Sequence, residues 1–217
     1  MAGLAVKPEY GPTLGHLLAP RWRTASKRAR VLAAMASAVA LVLAIALVLT
    51  LLNASYSHAG RVPFSFSYRG LYKVVPEPGG YVRLHRRWRG GALEYSFAVD
   101  PLTLPRYTGT TAAAVAVYAS GYIRRLERED AGFSLRGEGK TMLTKTVAGY
   151  QVAYTARVEG RPMLGRNILL LPQTPGAREG VTIVMLMAPG ANSQVTGPIE
   201  VATTGILLRP LKTFSVG

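Results

Sequence analysis

The stretch VRLHRRWRGGALEYSFAVDPL, residues 82–102, has alternating apolar and polar side chains on either side of Gly90-Gly91. Alternation with a period of two is typical of β-strands, and a glycine pair between two such runs is a hairpin signal. With the glycines as the loop, Leu84 faces Phe97, and the apolar side chains of both strands share one face. The same register gives these further pairs: Val82 with Val99, Arg83 with Ala98, His85 with Ser96, Arg87 with Glu94 and Trp88 with Leu93. The stretch therefore predicts an antiparallel β-hairpin.

The basic residues of this hairpin divide between its two faces. Arg86 lies on the apolar face opposite Tyr95, where its guanidinium can stack on the ring or extend to the sheet edge. Arg87 is expected to form an ion pair with Glu94, and Trp88 is expected to pack on the domain. The basic side chains then left free are those of Arg83, His85 and Arg89.

The sequence after the hairpin predicts one long helix and a run of strands. From Thr110 to Asp130, apolar side chains recur every three or four residues. Strand patterns follow over residues 133–143, 148–158, 163–172 and 180–188. The last of these is apolar on both faces, as expected of a central strand. A second helix is predicted over residues 198–208, because Pro198 suits a first helical turn.

Two short strands are predicted before the hairpin, one where Phe64, Phe66 and Tyr68 alternate with polar or basic residues and one within residues 70–80. The complete order is strands, helix, strands, helix. This order predicts an α+β layered domain with a largely antiparallel sheet over residues 62–217. A groove between the sheet and the first helix is the default place for a ligand.

Residues 31–52 form an apolar segment of 22 residues that contains no charged side chain. As a helix it spans about 33 Å at ~1.5 Å per residue, which is enough to cross a bilayer core. Five basic residues precede it between positions 21 and 30, and the next basic residue after it is Arg61. The positive-inside rule therefore places residues 1–30 in the cytoplasm as a basic tail, followed by a linker at 53–61 and the domain outside.

A cleaved signal peptide is the alternative interpretation of the apolar segment, with Ser57-His58-Ala59 as a cleavage site. The segment is longer than the usual apolar core of a signal peptide, and 30 residues precede it. These features favour an uncleaved anchor in the plasma membrane.

The composition limits the classes of function. The chain has 217 residues, a formal net charge of +15 and no cysteine. A basic chain suits nucleic acid, anionic membrane or acidic polymers, but the predicted side of the membrane argues against nucleic acid. The absence of cysteine excludes disulfides, thiol nucleophiles and a lipidated cysteine anchor.

No catalytic, metal-binding or cofactor-binding residue is predicted. His85 is the one histidine of the predicted domain, which excludes a site with two histidine ligands. A serine triad would need His85 together with Asp100, Asp130 or a glutamate. The run Gly139-Lys140-Thr141 resembles the end of a phosphate-binding loop, but Ser134 stands where that loop needs its first glycine. A pair of carboxylates for hydrolysis stays open as an alternative.

The element order of residues 62–217 resembles the PsbP/MOG-type fold, which the mycobacterial LpqN-type envelope lipoproteins share. The whole chain also resembles a group of uncharacterised single-pass membrane proteins of high-GC Gram-positive bacteria. Four stretches carry that resemblance: PEYGPTLGHLLAPRWR (8–23), YRGLYKVVPEPGGYVRL (68–84), GAREGVTIVMLMAPGANSQVTGP (176–198) and TTGILLRPLKTF (203–214). LpqN-type proteins are anchored through a lipidated cysteine, which this chain lacks. The resemblance implies an accessory binding module and gives no catalytic residue.

The sequence thus predicts a membrane-anchored, non-catalytic envelope protein that binds a protein partner or an anionic envelope polymer or lipid, without a cofactor. An envelope hydrolase that uses carboxylates is the alternative. The expected partner surface consists of Arg83, His85, Arg86, Trp88, Arg89, Arg106 and Arg166.

Overall fold

The computed structural model describes residues 26–51, 53–143, 148–172, 174 and 176–216. The chain divides into two compact units between Leu52 and Asn53. In the first unit, helix α1 (Lys27–Leu51) begins where the Ser26 hydroxyl accepts a hydrogen bond from the Ala29 amide. Its portion Lys27–Leu47 is long and apolar enough to cross a membrane. Residues 1–25 of the predicted tail lie outside the part of the chain that the structure describes.

The second unit, here called the β-rich unit, is α+β. Its elements are β1 (Ala54–His58), β2 (Phe64–Tyr68), β3 (Tyr72–Val74), β4 (Val82–Arg87), β5 (Leu93–Thr103), α2 (Thr111–Glu129), β6 (Ser134–Met142), β7 (Ala148–Val158), β8 (Arg161–Leu170), β9 (Glu179–Met187), a 3₁₀ turn (Pro198–Glu200), α3 (Leu208–Lys212) and β10 (Ser215–Val216). The seven-stranded sheet has the order β3-β4-β5-β9-β8-β7-β6, and the three-stranded sheet has the order β1-β2-β10. All strand pairs are antiparallel. As predicted from its apolar run, β9 is central, between β5 and β8.

The first face of the large sheet packs in one hydrophobic core with the three-stranded sheet. Phe97 of β5 is completely buried there, and its ring centroid lies 5.0 Å from that of Phe66 in β2. Phe214, which precedes β10, stacks on Phe66 at 5.8 Å. Apolar side chains of β4, β8 and β9 complete this core. The apolar side chains that alternate along residues 64–68 therefore form part of the contact between the two sheets.

Helix α2 packs on the second face, over β7 and β6. Thr110 caps its first turn by accepting a hydrogen bond from the Ala113 amide. The buried Asn167 side chain of β8 donates to the Tyr122 hydroxyl of α2 at 2.6 Å and accepts from the Tyr154 hydroxyl of β7 at 3.3 Å. Gly165 lies under the Tyr154 ring, which a Cβ atom at that position would contact. A hydrogen-bond network thus fixes the helix to one half of this face.

The β4–β5 hairpin has the predicted register from Val82↔Val99 to Arg86↔Tyr95. Beyond Arg86 a bulge shifts the register, so that Arg87 is opposite Leu93. The Trp88 amide donates to the carbonyl of Ala92, and five residues, 88–92, connect the strands. The predicted pairs Trp88–Leu93 and Arg87–Glu94 are therefore wrong. The bulge leaves one residue of the hairpin unpaired, whereas a two-glycine loop without a bulge would keep that residue paired in the ladder.

Two other predictions differ from the structure. The expected linker at 53–61 contains β1, which pairs with β2 along its whole length. The predicted helix at 198–208 is wrong: only the 3₁₀ turn forms at Pro198–Glu200, and α3 begins at Leu208. Positive φ angles of 67° at Ala202 and 74° at Gly205 turn the chain out of a helical path. The third position of α3 is Pro210, where the missing amide breaks no intrahelical bond.

Candidate binding groove

A groove of about 900 Å³ opens on the half of the second sheet face that α2 leaves uncovered. Strands β4, β5, β9 and β8 form its floor. The C-terminal half of α2, the turn before β4 and the β7–β8 turn form its walls. The polar and charged residues that line it are Glu77, Arg83, His85, Ser96, Asp100, Tyr122, Arg125, Glu129, Asp130, Tyr154, Arg157, Glu159, Asn167 and Thr182.

The floor of the groove follows from the strand register. His85 of β4 is opposite Ser96 of β5, and Asp100 of β5 is opposite Thr182 of β9. Between these two rows Ala98 of β5 pairs with Val184 of β9, and this row continues to Arg83 on β4 and Asn167 on β8. Ser96 and Thr182 are each only 4% exposed. Among the described residues, neither hydroxyl has a hydrogen-bond partner, so both are available to a ligand.

The charge of the groove is opposite to that of the unit around it. Residues 53–217 contain 20 basic and 10 acidic residues, a formal charge of +10. The described lining includes five of those carboxylates but only three arginines, which gives a formal charge of −2 with histidine neutral. Acidic side chains are therefore concentrated at this site.

Two ion pairs neutralise charges at the edge of the groove. Arg83 forms one with Glu77. Arg87 forms the other with Glu159, through two hydrogen bonds of 2.6 and 2.9 Å. This bidentate contact holds the pKa of the Glu159 carboxyl below its usual range. It also ties the end of β4 to the β7–β8 turn.

Burial is the main cause of the pKa shifts of Asp100, Asp130 and His85 in the groove. Burial raises the pKa of the Asp100 carboxyl, and Arg83 opposes this rise. Burial also raises the pKa of Asp130, and nearby Glu129 raises it further. Burial lowers the pKa of His85, and the positive charges of Arg83 and Arg87 lower it further. Asp100 and Asp130 have no ion-pair or side-chain hydrogen-bond partner among the described residues.

The structure places two residues of the predicted partner surface, Arg83 and His85, in the groove. Arg83 is not free as predicted, because Glu77 pairs with it. Arg86 lies over the Tyr95 ring at 6.0 Å, as its position in the register predicts, and its Nε also contacts Glu94 at 2.9 Å.

The other predicted surface residues lie elsewhere. Trp88 is 43% exposed in the β4–β5 turn, and Arg89 next to it is also exposed. Arg106 is exposed beside a separate cleft between α2 and the segment before it. Arg166 is half-buried on the opposite sheet face, where it donates to Gln151 and to the Val201 carbonyl. Its predicted part in a partner surface stays a prediction.

Sequence reasoning missed the groove residues Ser96, Asp100, Asp130 and Thr182 as a set. A signal for two of them existed, since Ser96 and Thr182 are polar positions inside otherwise apolar strands. A groove beside the first helix is present, as expected, and its position along the sheet depends on where α2 packs.

The described residues give no assembled catalytic machinery. No group of three metal-binding side chains occurs in that part of the chain. His85 and Ser96 are cross-strand neighbours, but no hydrogen bond between them is present in the described structure. The Gly139-Lys140-Thr141 run lies within strand β6, where it pairs with β7 and does not open onto a helix.

No protein-family model matches the chain, and no curated protein is similar to it. The crystal structure of PA94, a protein of unknown function from Pseudomonas aeruginosa, matches with 15% identity and a TM-score of 0.36. The match covers 56% of this chain and 85% of that one. At this TM-score the similarity carries no argument about fold or function.

Proposed function

We propose that the chain is a single-pass accessory protein of the cell envelope that binds a protein partner in the groove of its β-rich unit. The observation that carries this proposal is the groove itself. It combines a sheet floor, two hydroxyls without hydrogen-bond partners among the described residues, and two carboxylates, Asp100 and Asp130, that form no ion pair there. Its volume of about 900 Å³ is in the range of ligand sites in proteins.

The proposal includes an extracytoplasmic domain of PsbP/MOG type and an origin in a high-GC Gram-positive bacterium. The support for the fold type is the order of the elements, with a hairpin, a long helix and an antiparallel run on one seven-stranded sheet. The four stretches that resemble the uncharacterised membrane proteins support the origin. No cofactor is included, and the groove acts by binding alone.

A protein partner fits the groove better than an anionic polymer or lipid. Carboxylates outnumber arginines in the lining, so an anionic chain meets repulsion there. The excess basic residues of the unit lie outside the groove and remain available to anionic envelope polymers as a secondary contact.

The orientation of the chain is testable. With Lys27 and Arg28 at the start of α1 and no basic residue between its end and Arg61, the β-rich unit is expected outside the cytoplasm. A phosphatase that is active only after export, fused after residue 217, should be active. A second fusion partner that is active only in the cytoplasm should be inactive at the same position. The reverse pattern would contradict the orientation and the envelope role.

Site-specific photocrosslinking in cells tests the binding role of the groove. A photoreactive amino acid at Arg157, on the groove wall, is expected to give one defined adduct with a partner protein. The same amino acid at Glu127, an exposed position of α2 that does not line the groove, is the matched control. Identical adducts from both positions, or none from position 157, would contradict the proposal.

A hydrolase is the second candidate, and one observation favours it. Asp100 and Asp130 line the same groove, and burial raises the pKa of both, which suits a general acid. Turnover of an envelope substrate by the intact protein, lost in Asp100→Asn or Asp130→Asn, would establish that activity. Unchanged turnover in both variants would exclude these carboxylates as its catalytic residues.

A further inference from the structure

We infer that the segment bound in the groove is basic, with lysine or arginine side chains placed against Asp100 and Asp130. This inference rests on the proposed function and names the chemistry of the partner. It differs from the expectation of an anionic ligand that the overall charge of the chain suggests.

The first support is the distribution of charge. Half of the ten acidic residues of 53–217 line the groove, while three of the twenty basic residues do. Arg83 is already paired with Glu77, which leaves Arg125 and Arg157 as the other lining cations. Arg125 is 4.0 Å from Glu129, one turn along α2. A cationic ligand therefore meets carboxylates whose charge is only partly compensated.

The second support is a pair of hydroxyls on the floor. Ser96 and Thr182 line the groove, are each 4% exposed, and have no side-chain hydrogen-bond partner among the described residues. Their oxygens are open to the groove, since Asn53 Oδ1 is the one buried polar side-chain atom without a partner in the described part of the chain, so each can exchange water for a donor or acceptor of a ligand. The amide groups of an extended peptide provide both.

The third support is the apolar surface between the polar rows. Ala98 and Val184 pair on the floor between the row of His85 and the row of Thr182, and Leu186 lies beside them, opposite Ser96. Lysine and arginine bury their methylene stems on such surfaces while their charged ends extend to polar groups. The arrangement of apolar floor and acidic wall is thus complementary to a long basic side chain.

The protonation of the carboxylates makes the binding depend on pH. The charged groups that face Asp100 are Arg83 of β4 and Glu77 of the turn before it, and those that face Asp130 are Glu129 and Glu77. Because the pKa of both aspartates is raised, they become neutral at a higher pH than the usual value of about 4. Binding of a basic segment is therefore lost as the pH falls through these raised values and is complete above them.

The test uses the full chain in nanodiscs of phosphatidylcholine, with empty nanodiscs as the blank. The probe is a capped heptapeptide in which three lysines alternate with serine and alanine, and the matched probe has glutamate in place of lysine. Calorimetric titration at neutral pH should show binding of the lysine peptide only, weakened by added salt. Asp100→Asn and Asp130→Asn should each weaken it by about tenfold, the effect of losing one charge-assisted contact.

Glu127→Gln is the matched control, because it removes a carboxylate from the exposed side of the same helix. It should leave the affinity for the lysine peptide unchanged. Equal binding of the two peptides, or an equal loss in Glu127→Gln and Asp100→Asn, would overturn the inference. If neither peptide binds while position 157 still gives its adduct in cells, the inference fails and the proposed function stands.

Discussion

Replacing Phe97 with alanine is expected to lower the free energy of unfolding of the β-rich unit by about 3–5 kcal/mol. Phe97 has no exposed surface, and its ring joins the seven-stranded sheet to Phe66 of the three-stranded sheet. Alanine leaves a cavity at the contact between the two sheets, which the surrounding strands cannot close without breaking their ladders. Urea denaturation of the full chain, followed by near-ultraviolet circular dichroism, measures the loss.

Val117→Ala is the control for this prediction, because Val117 is highly exposed on α2. Its effect should be within about 0.5 kcal/mol. A loss of less than about 1 kcal/mol in Phe97→Ala would contradict the placement of this ring between the sheets.

The replacement of Asn167 by alanine is expected to lower the free energy of unfolding by about 2–4 kcal/mol, since two buried hydroxyls lose their partner. Asn167 is 1% exposed and connects Tyr122 of α2 with Tyr154 of β7. The variant should also speed amide hydrogen exchange in α2, because this contact ties the helix to the sheet.

Ser120→Ala is the matched control on the exposed side of α2, and it should leave both the stability and the exchange rates unchanged. Exchange in α2 that is as slow in Asn167→Ala as in the parent chain would show that apolar packing alone holds the helix. The groove would then need another explanation for its fixed wall.

Much of the fold could be predicted from the pattern of apolar residues. The alternation between Val82 and Val99 gave the register of β4 and β5, and the spacing of Val115 and Tyr122 gave the buried face of α2. The apolar run of β9 predicted its central place. These signals work because burial on one or two faces imposes a period on the sequence.

The bulge after Arg86 and the path after Pro198 could not be predicted in this way. A bulge moves the pairing by one residue through backbone geometry that the side-chain pattern does not record. At residues 198–208, the proline and the apolar residues suit a helix, but the backbone at Ala202 and Gly205 has positive φ. Local propensity was overridden there by packing against the sheet.

The site was less predictable than the fold. The basic residues of the hairpin predicted a surface of arginines. Three of these, Arg83, Arg86 and Arg87, form ion pairs with carboxylates of the same unit. The carboxylates that lack such partners, Asp100 and Asp130, are 30 residues apart and line the same groove because α2 ends beside the floor of β5. Net charge describes the whole surface, whereas the charge of a groove depends on which residues the fold brings together.

The most direct test of the groove as the binding site is to fill it while keeping the crosslinker at position 157. Leu186→Trp enlarges a half-buried side chain on the floor, and Ser96→Phe enlarges the buried residue opposite it, so that a second variant is available if the first lowers the melting temperature. We expect the partner adduct to disappear in a filled variant whose melting temperature matches that of the parent chain. An adduct of undiminished yield in such a variant would contradict binding in the groove.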